Sequence, residues 1–527
     1  MAAQLAATPQ SICDQDPTRS RRRQDEASAM EKAAAEWKPN RRIRLSRVPA
    51  VIDARSAHTL PSATDDFVGR VSQRIGGPLG RYAATGTAWW NPLRVTLLVG
   101  TLVYLTGVVF RLPCRITVAG QPPPDHFKYL CYSDIGLLYS GRGLLQGNTP
   151  YLDSGGYPIL EYPVLTGWFL ELERLITRLL GGLQGAGLTD QQQIDSTLIF
   201  VDVNTVLLGL FFLIALWALV RTPVGRPWDA MMMAASPCVA AAALINWDML
   251  PVALTALAMA CWSGRKPGLT GVMLGLGAAA KLYPALLLGP LLLLCLRGKR
   301  IGDFVMTIST FLVSWGLVNL PVLLLAPDAW FNFWLYNRDR GGDLGSIWYV
   351  LSLAGHPVPY LNWVSAGAFG LCCIGILVLI LYAPLRPRVG AMAFLVVAAF
   401  LMTNKVYSPQ YVLWLLPLMI LARPKWRDWL IFTAGELIYF VAIWWHLGGF
   451  LSPGDSSADR LYWVAVLIRL CTQGWVVFMV VRDALRPDRD PVRGAEIDDP
   501  TGGVLDRAPD ARLFRVLAGN TVPRRDA

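Results

Sequence analysis

Residues 196–220 read STLIFVDVNTVLLGLFFLIALWALV, an apolar run in which Asp202 is the single charged residue. Crossing the hydrocarbon core of a bilayer takes about 20 such residues in an α-helix. The run is long enough to cross a membrane, and we predict that it does.

Apolar segments of this kind recur through most of the chain, and each is bounded by charged residues, Pro or Gly. Together they predict about twelve transmembrane helices, and hence an all-α, polytopic membrane protein. The segments are 94–112, 196–220, 229–245, 249–262, 268–280, 283–296, 302–326, 363–384, 390–403, 409–422, 428–448 and 461–481.

The overall composition agrees with a membrane protein. Of 527 residues, 54% are hydrophobic and 16% are charged, a balance that argues against an ordinary cytosolic enzyme. The formal charge of +11 comes from short clusters between apolar segments, which argues against nucleic acid as a partner. The nine cysteines form no CxxC pair and no Gly-rich phosphate loop is present, so we predict neither a metal nor a cofactor.

The basic linkers predict which side of the membrane each loop occupies. By the positive-inside rule they are cytoplasmic, so every second linker lies outside. The basic linkers are those at 221–226, 265–266, 297–300, 386–388 and 423–427. We expect a disordered cytoplasmic arm (1–90), a transmembrane domain (91–482) whose residues 112–195 form a long extracytoplasmic loop, and a disordered cytoplasmic tail (483–527).

One segment of that outer loop, residues 158–180, is ambiguous. Its Glu171, Glu173, Arg174 and Arg178 make it a poor membrane span but a fair interfacial helix. Cys114 and Cys131 also lie in the loop, where a disulfide is chemically permitted, and the sequence leaves their pairing open.

Three pairs of predicted spans, 229–262, 268–296 and 390–422, consist of segments too short for a comfortable crossing. Each pair turns outside through a polar tip. Ionisable groups near a bilayer core cost several kcal/mol unless they are paired or line a wet cavity. The tips therefore predict a functional site that faces outward. They read Asn246-Trp247-Asp248, Lys281-Leu282-Tyr283-Pro284 and Asn404-Lys405-Val406-Tyr407-Ser408-Pro409-Gln410.

Two carboxylates of the outer loop are candidates for acid–base chemistry. Asp134 stands at the start of a predicted helix, where it is either the N-cap or a general base that takes a proton from a sugar hydroxyl. Glu161, in Leu160-Glu161-Tyr162-Pro163, is the second candidate, and its alternative role is that of a structural hydrogen-bond acceptor.

The cations of the outer face suit an anionic leaving group such as a phosphate. Lys281 and Lys405 lie on separate tips, and Arg338 and Arg340 lie in one outer loop. The alternative is that the lysines snorkel and that the arginines are solvated or pair with neighbouring aspartates. Other candidates for substrate contact are Asn246, Asp248, Tyr283, Asn404, Tyr407 and Gln410.

The spaced motifs resemble glycosyltransferase family 87. The resemblance covers about residues 94–481 and rests on Tyr132-Ser133-Asp134-Ile135, Asn148-Thr149-Pro150-Tyr151, Glu161-Tyr162-Pro163, the first two tips, and the third tip extended to Tyr411. These are C-type membrane enzymes that include polyprenol-phosphate-mannose-dependent α-mannosyltransferases of actinobacterial envelopes.

What the resemblance implies is a C-type fold with Asp134 as the catalytic base. The donor would be a polyprenyl-phosphate sugar that enters from the membrane lipids, and the acceptor a glycolipid or glycan on the outer face. Lys281 and Lys405, with an arginine, would stabilise the departing phosphate.

Two other functions also fit a polytopic protein with charges near the membrane midplane. A transporter or lipid-linked glycan flippase would be expected to contain an internal repeat, and none is detectable in the sequence. A non-catalytic scaffold for envelope assembly would not require Asp134. We expect the transferase.

Overall fold

The computed structural model describes residues 65–75, 91–117, 119–153, 155–451, 460–493 and 498–518. All regular secondary structure in these ranges is helical, and no strand is present in them. The predicted all-α class is therefore confirmed for this part of the chain.

Six helices are long and apolar enough to cross a membrane. Each corresponds to one of the predicted spans, and 196–220 lies inside the second of them. The six are α2 (Pro92–Phe110), α5 (Asp190–Arg221), α11 (Ile301–Leu325), α14 (Leu361–Tyr382), α17 (Trp426–Leu447) and α18 (Arg460–Leu485).

Three further helices lie in the N-terminal region and in the predicted outer loop. They are α1 (Asp66–Ile75), α3 (Asp134–Gly141) and α4 (Val164–Leu179).

The other six predicted spans form shorter helices inside the protein. Every residue of the Val412–Ala422 helix is buried, as expected of a helix that is hydrophobic on all sides and surrounded by other helices. These short helices are α6 (Met231–Ala234), α7 (Pro237–Ala242), α8 (Met249–Ser263), α9 (Pro267–Ala280), α10 (Leu288–Arg297), α15 (Val389–Thr403) and α16 (Val412–Ala422). The described helices thus support six crossings by length and composition, and twelve remains a prediction.

Smaller helices complete the framework. Three short α-helices connect or follow the long helices, and several connections between helices contain a 3-10 helix. They are α12 (Pro327–Asp339), α13 (Ile347–Leu353), α19 (Arg512–Leu517) and the 3-10 helices Leu112–Arg115, Pro227–Ala230, Tyr283–Leu287, Pro409–Tyr411, Pro487–Arg489 and Gly503–Leu505.

The described part of the predicted outer loop packs against the candidate membrane spans. A disulfide joins Cys114 to Cys131, which answers the question that the sequence left open. The ambiguous segment 158–180 forms α4, which is not among the six candidate spans. Within this helix, Arg174 pairs with Glu171 at 2.5 Å.

The C-terminal region, for which the sequence predicts disorder, forms ion pairs with the basic linkers. In its described part, Asp510 forms ion pairs with Arg297 and Arg386, both at 2.9 Å. Asp490 pairs with Arg388 at 2.7 Å. Because these arginines belong to the basic linkers, the tail neutralises charges that would otherwise be buried without a partner.

One part of the N-terminal arm is also ordered. Asp65 caps α1 by accepting from the backbone N–H of Phe67 and Val68, and its second oxygen accepts from the backbone N–H of Trp426 at 2.7 Å. The rest of the predicted arm, 1–90, lies outside the described residues.

Candidate active site

Asp134 is the first residue of α3, and its backbone contacts the residues just before the first tip. Ser133 is the N-cap, with its hydroxyl accepting from Ile135 N–H. The same hydroxyl donates to the carbonyl of Leu244 at 2.7 Å, and Asp134 N–H donates to the carbonyl of Ile245 at 2.7 Å. Ser133 is therefore the N-cap of α3, and capping does not require the Asp134 side chain.

The Asp134 carboxyl is placed among charged and polar groups. Burial raises its pKa from 3.8 to about 6, while a hydrogen bond with Tyr132 and the charge of Lys281 lower the pKa. The neighbouring carboxylates of Asp248 and Glu161 raise it. A carboxylate with a pKa near 6 is largely ionised at neutral pH and is a competent general base.

Two of the predicted tips meet beside Asp134. Lys281 Nζ lies 2.9 Å from a carboxylate oxygen of Asp248, whose side chain is 2% exposed. The same ammonium lies 4.6 Å from the centre of the Tyr162 ring, a cation–π contact. The first two tips and the Glu161-Tyr162-Pro163 motif therefore lie next to one another.

The first tip is fixed by hydrogen bonds around Trp247. Its indole N–H is shared between Glu173 Oε2 at 2.9 Å and Asn204 Oδ1 at 2.7 Å. Asn246 accepts from Asp248 N–H at 3.1 Å and donates to the Tyr162 hydroxyl at 3.4 Å. Asn246 therefore orients Asp248 and contacts the ring that covers Lys281.

Glu161 is already engaged by an arginine that sequence reasoning missed. Arg142 Nε and Nη2 donate to the two carboxylate oxygens of Glu161 at 2.8 and 2.9 Å. This two-pronged pair occupies both oxygens, and such geometry is typical of arginine. The structure thus favours the structural role for Glu161.

The third tip forms a separate cationic cluster. Lys405 Nζ donates to the carbonyl of Arg338 at 3.0 Å and to the side chain of Asn362. Arg338 is solvent-exposed and pairs with Asp339, and Arg340 pairs with Asp343. The pairing with aspartates that the sequence left open is therefore present for both arginines.

Tyr411 connects the two groups of cations. Its ring centre lies 5.8 Å from Lys281 Nζ. Tyr411 also interacts electrostatically with Arg340, and Arg340 in turn with Lys405. The ring of Tyr411 stacks on Trp414, with centres 4.0 Å apart.

Four predicted contact residues lie in supporting positions. Tyr283 is 1% exposed and its hydroxyl bonds to Pro251 and Thr255. Tyr407 is fully buried under the guanidinium of Arg469, whose carbon lies 3.5 Å from the ring centre. The side chain of Asn404 bonds within its own turn, and Gln410 is buried. Both tyrosines are buried among protein side chains, and their contact with a substrate stays a prediction.

Several residues at the site were not singled out as candidates from the sequence. Tyr132, Tyr162 and Tyr411 stand inside the quoted motifs, so their proximity to the candidates was visible, but their contacts with Asp134 and Lys281 depend on the packing of distant segments. Arg142 carried no sequence signal beyond its position one residue after α3.

An apolar groove lies next to Tyr162. It runs between the outer loop and α11 and α12, and α11 is a candidate membrane span. Trp334 at its rim is 40% exposed. The residues that line the groove include Tyr151, Tyr162, Leu282, Trp315, Trp330 and Trp334.

Comparison with known proteins agrees with the motifs. Residues 194–404 match the model of Glycosyltransferase family 87. This range contains the first two tips, the cationic loop at 338–340 and the beginning of the third tip. No curated protein matches the chain. The match supports membership of the chain in glycosyltransferase family 87.

Proposed function

We propose that the protein transfers mannose from a polyprenyl-phosphate donor to a glycolipid or glycan of the cell envelope, on the outer face of the membrane. Family membership supports glycosyl transfer, and the six long apolar helices support a membrane location. The observation that carries the assignment of the site is the meeting of Asp134 with the Lys281–Asp248 pair. The donor and the sugar follow from the resemblance to polyprenol-phosphate-mannose-dependent members of the family.

In the proposed reaction, Asp134 takes the proton of an acceptor hydroxyl while that oxygen forms a bond to the anomeric carbon of the donor. The bond between this carbon and the phosphate oxygen breaks, and polyprenyl phosphate leaves with the electron pair. A single displacement of this kind inverts the anomeric configuration.

The cations differ in how their charge is balanced. Lys281 pairs with Asp248, and Arg340 pairs with Asp343. Arg340 also interacts electrostatically with Tyr411 and with Lys405. We assign stabilisation of the phosphate to Lys281 together with Arg340 and Lys405, because positive groups aimed at developing charge in an enclosed site lower the barrier.

The apolar groove supports a lipid-linked donor. Tyr162 and Trp315 of α11 both line it, and Leu320, Leu324 and Leu325 of that helix are at least half exposed. A polyprenyl chain lying along this exposed face of α11 would keep its apolar surface out of water.

The disulfide supports an extracytoplasmic site. Disulfides persist in oxidising compartments, and Cys131 lies three residues before Asp134. The span α5 starts in the disulfide-bearing loop at Asp190 and ends at the basic Arg221, so the two features lie at opposite ends of one helix. We therefore place the termini in the cytoplasm and retain about twelve crossings.

The function is tested by transfer of radiolabel in membranes that contain equal amounts of wild type, Asp134→Asn or Asp190→Asn. Asp190 is an exposed aspartate of the same loop and serves as the matched control. Polyprenyl-phosphate mannose is the donor, with glucose and arabinose analogues in parallel. We expect labelled product with wild type and Asp190→Asn only, and only from the mannose donor. Absence of transfer by wild type from every donor would contradict the proposal and favour transport, which a lipid-translocation assay in the same membranes would reveal.

A further inference from the structure

A buried glutamate of α4 contacts the first tip and takes no part in the proposed chemistry. Glu173 is 0% exposed, although glutamates are almost never fully buried unless they are paired. Its Oε2 accepts from the indole N–H of Trp247 at 2.9 Å. Its Oε1 is buried and has no hydrogen-bond partner among the residues that the structure describes. The segment 158–180, which the sequence left ambiguous, thus reaches the first tip through this carboxyl group.

Glu173 forms no ion pair with a basic residue in the described part of the chain. On α4 itself, Arg174 pairs with Glu171 instead. The helices that pack most extensively against α4 are α5, α9 and α11. Their charged residues are Asp190, Asp195, Asp202, Asp303 and Arg221. Only Arg221 is basic, and it lies at the C-terminal end of α5 over the ring of Trp217. A carboxylate buried without a counterion is costly, and such a group normally takes up a proton instead.

The hydrogen bonds around the indole also favour an uncharged carboxyl group. Asn204 Oδ1 accepts from the same Trp247 N–H at 2.7 Å, and Asn204 Nδ2 donates to the carbonyl of Phe200 at 2.9 Å, which fixes the orientation of the amide. Two acceptor oxygens therefore share one hydrogen, and a proton on Glu173 adds a second hydrogen to this group. Burial raises the pKa of Glu173 well above its usual value, and the contacts with Trp247 and Asn204 offset this only in part.

Trp247 connects this buried group to the candidate site. Its side chain is fully buried, and its ring meets the ring of Tyr162 edge to face, with centres 5.5 Å apart. The next residue along the chain is Asp248, which pairs with Lys281. A shift of the indole would therefore disturb both the Asp248 carboxylate and the ring that covers Lys281.

We propose that Glu173 is a positioning residue that acts as an uncharged carboxylic acid: it stays protonated at neutral pH and, together with Asn204, anchors Trp247 and hence the first tip. The neutral form adds no further negative charge to a site that already contains Asp134 and Asp248 and that binds a phosphate in the proposed reaction. The effect on transfer rests on the proposed function, whereas the protonation of Glu173 does not.

The protonation is tested by infrared difference spectroscopy at pH 8, on full-length protein in lipid nanodiscs and without a sugar donor. Glu173→Gln keeps the size of the side chain and an uncharged acceptor for the indole N–H. Glu171→Gln is the matched control, because Glu171 lies two residues earlier on α4 and its carboxylate pairs with Arg174. We expect Glu173→Gln to remove a carboxylic-acid band and Glu171→Gln to remove a carboxylate band. Loss of a carboxylate band in Glu173→Gln would overturn the proposal.

The positioning role is tested by the rate of transfer. Glu173→Gln should work at near the wild-type rate, and the ratio of the two rates should not change with pH. Glu173→Leu cannot accept a hydrogen bond, and we expect transfer that is about tenfold slower, which corresponds to the loss of one hydrogen bond. A wild-type rate in Glu173→Leu, or a pH-dependent ratio in Glu173→Gln, would overturn the role. Failure of transfer in wild type would refute the proposed function and leave the infrared result to decide the protonation.

Discussion

The ammonium of Lys281 lies 2.9 Å from the carboxylate of Asp248, and the two residues come from different tips of the short-helix pairs. The pair explains how a lysine is retained at this depth, because a buried charge without a partner costs several kcal/mol. It also means that Lys281 brings little net charge to the site unless Asp248 turns to another partner.

A double-mutant cycle on this pair should separate its structural and catalytic parts. Lys281→Gln or Asp248→Asn alone leaves the other charge buried and unpaired, and we expect each to lower the free energy of unfolding by about 3–5 kcal/mol. The double variant should recover most of that loss, because no charge is left uncompensated. Denaturation of purified protein measures all four forms. Additive losses in the double variant would contradict the pairing.

The ionisation of Asp134 predicts opposite effects on activity and stability. A base with a pKa near 6 loses activity as the pH falls below 6. Because the folded-state pKa is raised above that of the unfolded chain, ionisation costs stability as the pH rises from about 4 to 6 and the full cost persists above 6.

Asp134→Asn should therefore unfold at a higher temperature than wild type at pH 8, and the difference should shrink toward pH 5 as the wild-type carboxyl becomes protonated. Thermal unfolding at several pH values tests this, with Asp190→Asn as the control. A lower unfolding temperature of Asp134→Asn than of wild type at pH 8 would contradict this prediction. It would show that the contacts of the ionised carboxylate stabilise the fold by more than its burial destabilises it.

Glu161 offers a comparison between the two carboxylates of the outer loop. Arg142 occupies both of its oxygens, so Glu161→Gln should weaken that pair and reduce transfer by about tenfold or less. General-base removal typically costs about 100- to 10,000-fold. Rates of Glu161→Gln and Asp134→Asn, measured side by side, give the ranking. A larger loss in Glu161→Gln would move the base to that residue.

The tail should contribute to stability through Asp510. Asp510→Asn leaves the fully buried Arg297 and its neighbour Arg386 without their carboxylate, and we expect a loss of about 3 kcal/mol in unfolding free energy. Asp488→Asn, an exposed position of the same region, is the control. Equal stability of the two variants would show that the tail contacts are dispensable.

The contrast between the tips and the tail shows what the sequence could predict. Asn246, Asp248 and Lys281 interrupt apolar segments, and this local signal was enough to predict that they lie close together. The tail has a polar composition that resembles disorder, and its order depends on Arg297, Arg386 and Arg388, which precede it by many residues. Pairing between distant charges has no local pattern.

The short helices show a similar limit of prediction from local sequence. Hydropathy identified the apolar segments of α15 and α16, but it does not distinguish a helix surrounded by lipid from one surrounded by protein. Likewise, Asp134 at a helix start fitted both an N-cap and a base. The choice required the position of the Ser133 hydroxyl, which only the packing against Leu244 and Ile245 reveals.

The most direct test of the account is the initial rate of mannose transfer from polyprenyl-phosphate mannose by purified wild type and Asp134→Asn at pH 8 in nanodiscs that contain envelope glycolipid. If Asp134 is the base, the variant should retain donor binding and lose about 100- to 10,000-fold in rate. A variant within tenfold of wild type would contradict the central claim.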